Sequence, residues 1–154
     1  MMQKLHLTFG SSYIIEGIKA QNKTKKFLQF SDKNDPHQYA LITIDSEKKF
    51  FRSNLNYSIL NGNFDIIKET PYFFNHFSLD EKQQKMYLAS FQHIPDGSLS
   101  FLFCQSLEHD FDFLVISCWA STAQYKNWLA HHNFITTSNN SSDNSYSRKM
   151  YINS

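Results

Sequence analysis

Two adjacent histidines, His131 and His132, stand one helical turn after Trp128 in a stretch that reads as a capped helix. Imidazole is a good iron ligand, and at a helix C-terminus it also interacts favourably with the helix dipole. His76 and His93 read as surface positions. The seven histidines show no H-x-x-x-H or comparable spacing that argues for a metal site. No Gly-rich phosphate loop and no nucleophile elbow occurs, so nucleotide-dependent and hydrolytic readings lack support. Cys104 and Cys118 both fall in apolar runs and read as buried free thiols.

These side chains need elements to hold them. Leu5 to Phe9 alternates as a strand does, and Ser11 or Ser12 can cap a helix reaching about Ala20. Phe27 to Phe30 is a second strand. Tyr39 to Ile44 and Lys49 to Arg52 form a hairpin around Asp45, Ser46 and Glu47. Leu55 to Leu60 suggests one or two helical turns, ended by Asn61 and Gly62. Pro71 marks a boundary. Beyond it, Tyr72 to Leu79 is a strand, and Ser78 with Glu81 fits a capping box for a helix to about Gln92. Leu99 to Leu107 and Phe111 to Trp119 are strands. Ser121 with Gln124 is a second capping box, whose helix sets Tyr125, Trp128, Leu129 and His132 on one face. Residues 138–147 are rich in Ser and Asn and read as a loop, with Tyr146 to Ile152 returning as a strand. Strand–helix–strand–strand–helix–strand is the split ferredoxin-like motif. An open sheet of that kind leaves a face needing cover, which favours a homodimer closed face to face.

The composition suits such a domain. Fifteen Phe, eight Tyr and two Trp against four Gly and three Pro supply large buried areas. A formal net charge of +1 gives no electrostatic case for nucleic acid or an anionic membrane. No run approaches the roughly eighteen apolar residues of a membrane span, and Met1 to His6 lacks an apolar signal-peptide core. A cytoplasmic location is expected.

From about Tyr72 onward the chain resembles the antibiotic biosynthesis monooxygenase superfamily, and most of all its haem-degrading branch. The carrying residues are the Phe73 to Leu79 strand with Asn75, the Val115 to Trp119 strand end, and the helix bearing Trp128. Leu5 to Gly10, Lys26 to Phe30 and the Tyr39 to Phe51 hairpin resemble the N-terminal extension of a subgroup that includes the staphylococcal TRAP proteins. The resemblance implies an α+β, ferredoxin-like dimeric α/β barrel at 71–154, with an α/β extension at 1–70 packed on it. It implies a monooxygenase, and in its narrower form one that cleaves haem with dioxygen and a reductant, so that haem is both substrate and cofactor. Asn75 would lie by the distal oxygen and Trp119 would press on the porphyrin. The iron-binding His of the pattern falls at Ser138, so His131 or His132 would have to replace it. The alternative is a non-catalytic relative that binds a small apolar ligand, haem or a protein partner. For Trp119 a core role stands beside the catalytic one, as does an exposed strand position for Asn75.

Overall fold

The computed structural model describes residues 3–53, 55–132 and 146–152. Eight strands close into one antiparallel barrel in the order β1-β3-β2-β8-β5-β7-β6-β4. The first half of the chain contributes β1 (Lys4–Gly10), β2 (Leu28–Asp32), β3 (Asp35–Asp45) and β4 (Leu55–Asn63); the second contributes β5 (Tyr72–Ser78), β6 (Ser98–Ser106), β7 (Asp112–Trp119) and β8 (Tyr146–Ile152). Within each half the strands lie in the order fourth, first, third, second: β4-β1-β3-β2 and β8-β5-β7-β6. The chain therefore carries two ferredoxin-like sheets joined at two seams, β2 against β8 and β4 against β6. The edges of both sheets are thus paired within one chain. Strands from residues 1–70 complete the barrel.

Strand alternation sorts the side chains onto two faces. Leu5, Leu7, Phe30, Ile42, Tyr57, Tyr72, Phe74, Leu102, Leu114, Ile116 and Met150 fill the barrel interior, together with both buried thiols, Cys104 and Cys118. Phe64 and Ile67, from the segment after β4, pack against that core. They are pinned there by Tyr72, whose hydroxyl donates to the Asp65 carbonyl and accepts from the Ile67 N–H at 2.8 Å. Burial pushes the Tyr72 phenol up to about 12.

Helices cover the outer face of each sheet unequally. In the first half α1 (Ser12–Gln21), capped by the Ser11 hydroxyl, turns Ile15 onto Leu41 and Phe51. In the second half α2 (Glu81–Tyr87), the 3-10 segment Leu88–Gln92 and α3 (Thr122–Ala130) all lie along the chain where covering helices are expected. The α3 cap is Ser121, as the sequence predicts. The α2 capping box is built by Asp80 and Gln83, two residues beyond the predicted Ser78 and Glu81, because Ser78 still belongs to β5 and donates its hydroxyl to Asp112. Two further expectations are corrected. Leu55 to Leu60 forms strand β4, not helical turns, since it pairs with both β1 and β6. Lys49 to Arg52 is not a strand; Phe50 and Phe51 fold inward, 5.9 and 6.3 Å from Phe27 between ring centroids, and take the place of a second helix.

Candidate functional site

Asn75, Trp119 and His132 are brought into one aromatic layer between the outer face of β5–β7–β6 and α3. Asn75 lies between the inward-facing Phe74 and His76, so it points outward under α3. It is fully buried, and its amide nitrogen donates to the Tyr125 hydroxyl at 3.1 Å. The Tyr125 ring is stacked on Phe73 at 3.6 Å between centroids. Trp119 is 3% exposed and donates its indole N–H to Ser117 Oγ at 2.9 Å. Trp128 lies 5.6 Å from Trp119, edge-on to Phe101, and the His132 ring stacks on it at 4.8 Å.

The histidines end α3 as capping residues do. His131 Nδ1 bonds the Asn127 carbonyl at 2.8 Å and His132 Nδ1 bonds the Trp128 carbonyl at 2.9 Å. His131 is exposed, whereas His132 is half-buried against Trp128 and, 5.4 Å away, Phe91. Phe91 enters the layer from the 3-10 segment and stacks on Phe103 at 4.6 Å. Ser138, the position the resemblance gives to an iron ligand, lies outside the described residues. Among the described residues no group of three His, Cys, Asp or Glu side chains is placed to hold a metal. These residues do not fit a porphyrin as they stand. The Asn75 amide is turned to Tyr125, and Phe73, Phe91, Phe103, Tyr125 and Trp128 fill the space above the sheet.

A second polar cluster, which sequence reasoning missed, sits on the first half. His6 points outward between the inward Leu5 and Leu7, and it is fully buried. Its Nδ1 faces Asn56 Oδ1 at 2.6 Å and its Nε2 faces Asp45 Oδ1 at 2.8 Å. The Asn56 amide nitrogen is committed to Glu108 at 3.3 Å, and Asp45 also accepts from the Lys25 ammonium. Partial burial pushes the Asp45 carboxyl up, but the hydrogen bonds from Lys25 and His6 outweigh it and hold it below the ordinary 3.8. Burial likewise pulls Lys25 down, and its contacts with Asp45 and Glu47 more than reverse this. His6 precedes the α1 cap Ser11 by as many residues as Asn75 precedes the α2 cap Asp80. The two residues therefore occupy corresponding places in the two halves. The one available signal was a histidine inside an alternating apolar strand.

No protein-family model matches the chain, and no curated protein matches it in sequence. Solved structures do match over nearly its whole length. An uncharacterised ferredoxin-fold protein from Listeria monocytogenes, related to antibiotic biosynthesis monooxygenases, superposes with a TM-score of 0.78 at 19% identity, covering 99% of this chain and 95% of that one. The haem-degrading enzyme of the same organism gives 0.71 at 16% identity, over 97% and 99%. A regulator of staphylococcal pathogenesis gives 0.70 at 14% identity, over 97% and 99%. At these identities the likeness establishes the fold alone, a ferredoxin-like barrel shared with these proteins.

Proposed function

We propose that this chain is a binding protein of monooxygenase fold, holding a small apolar ligand rather than oxidising haem. The observation that carries the reading is Asn75, which is fully buried and hydrogen-bonded to Tyr125 instead of facing open space. A group that must meet iron-bound oxygen needs access to it. Here access would require moving Tyr125, which is stacked on Phe73. Both His131 and His132 serve the last turn of α3, which supports a capping role for them. Two unpaired buried thiols are consistent with a reducing, cytoplasmic setting.

The second reading, haem degradation, draws on the gathering of Asn75, Trp119 and His132 in one layer and on the likeness to a haem-degrading enzyme. Haemin titration followed in the Soret region separates the two. On the binding-protein reading there is no sharp coordinated Soret band and no decay when reductant is supplied under air. A shift that decays, and that is lost on replacing His131 and His132 by Ala, overturns it.

A further inference from the structure

The seam between the two halves holds a feature that neither half would have alone. On β4 the register against β6 jumps between Ile59 and Asn61, leaving Leu60 unpaired and 40% exposed. Such a bulge bends its strand and re-aims side chains, often beside a ligand site. Two residues on, Gly62 has φ 98° and lies so close to β6 that a Cβ would sit 1.9 Å from the Phe101 carbonyl oxygen. Only glycine fits there. Beside the bulge a cleft of about 340 Å³ opens between β4, β6 and the 3-10 segment, lined by Leu60, Asn61, Leu88, Gln92 and Phe103.

We infer that this seam cleft binds a small, uncharged, largely apolar molecule carrying one hydrogen-bonding group. The inference deepens the binding-protein reading and rests on it. The cleft volume lies at the low end of the roughly 300–1,000 Å³ typical of small-molecule sites. Leu60, Leu88 and Phe103 supply apolar walls, and the amides of Asn61 and Gln92 supply the polar points. Among the described residues no charged side chain lines the cleft, so a carboxylate, phosphate or sulfonate would be desolvated without a counter-ion. That excludes a porphyrin's carboxylates as well. The cleft borders the layer of Asn75 and Trp119 through Phe103 and Leu88, but neither Asn75 nor Trp119 lines it. One wall is suited to adjust. The 3-10 segment is short, Phe91 is its buried residue, and the Asn61 amide nitrogen tethers it to β4 through the Phe91 carbonyl at 3.1 Å.

The test uses a matched pair of dyes, neutral N-phenylnaphthylamine and its anionic relative anilinonaphthalene sulfonate. The neutral dye is expected to bind saturably at one site per chain with a blue-shifted emission. The sulfonate should bind about tenfold or more weakly. Leu60→Trp and Leu88→Trp, which fill the cleft from its rim, should each weaken the neutral dye about tenfold while keeping the wild-type circular dichroism. Ile14→Trp, on the outer face of α1, should leave binding unchanged. Non-saturable binding, equal affinity for both dyes, or undiminished binding by both folded cleft variants overturns the assignment. Haemin turnover would instead strike the binding-protein reading, whatever the dyes do.

Discussion

Asp45→Asn puts the polar cluster of the first half to a quantitative test. Asp45 is the shared acceptor of His6 and Lys25, and its side chain is 21% exposed while that of His6 is fully buried. The bond to the buried ring is worth about 1.5–3 kcal/mol, as for hydrogen bonds to charged groups. The Lys25 pair has both side chains about one-fifth exposed and adds only about 0.2–1 kcal/mol after solvent screening. An asparagine keeps the shape but turns an N–H toward one of two donors, so little is recovered. The expected loss is about 2–3 kcal/mol at neutral pH, or about 5–10 °C in Tm for a chain of this size. The sign with pH follows from Asp45 being held below its ordinary 3.8 in the folded chain. Its contribution is fully present above 3.8 and is lost as pH falls through the lower folded value. Urea unfolding at several pH values should therefore show a gap between wild type and variant that is constant from neutral down to about pH 5. Below that the gap should narrow. Asp35→Asn, at an exposed carboxylate on the same strand, should stay within about 0.5 kcal/mol of wild type. A gap under about 0.5 kcal/mol at pH 7, or one that does not narrow in acid, refutes the account.

Other outcomes follow from the same packing. Gly62→Ala should destabilise by more than about 2 kcal/mol, from the positive φ and the Phe101 carbonyl together; a neutral result in urea unfolding would mean that the seam is looser than described. Phe91→Ala should cost about 3–5 kcal/mol, and a loss below about 1 kcal/mol would show that Phe91 does not hold the 3-10 segment to the sheet. Spectrophotometric titration should find Tyr72 ionising near 12, after ordinary tyrosines. Because that value is raised above the ordinary 10, the associated stability is present below pH 10 and lost as pH rises toward 12. Cys104 and Cys118 are fully buried, with thiols pushed up by burial. A thiol reagent should label neither in the native protein and both in denaturant; native labelling would count against the closed interior.

The second half was legible because its signals are local. Ser121 and Gln124 announce α3, the Tyr72 and Val115 strands are continuous apolar runs, and Tyr146 to Ile152 returns as β8. The first half reads as an extension ahead of Pro71 through its resemblance to a subgroup's N-terminal region, and its fourth strand reads as helical turns. In Leu55 to Leu60 the apolar residues fit either period, and Asn61–Gly62 imitates a helix stop. What decides is pairing with β1 and β6, which no window along the chain contains. The same limit hid the His6 cluster, whose Asp45, Asn56 and Glu108 arrive from three distant segments. Asn75 and Trp119 were correctly placed on strands, but their enclosure depends on Tyr125 and Trp128, which reach them from α3.

Two sheets on one polypeptide also change what a substitution means. In a symmetric pair of chains every replacement appears twice, so a residue that suits one surface must be tolerated on its copy. Here each replacement appears once. The first sheet can keep a charged cluster around His6 where the second keeps the uncharged Asn75, and it can give up a helix that the second retains. The covalent link further makes the pairing of β2 with β8 and of β4 with β6 independent of protein concentration. Dilution cannot separate the halves, and each is free to specialise on its own.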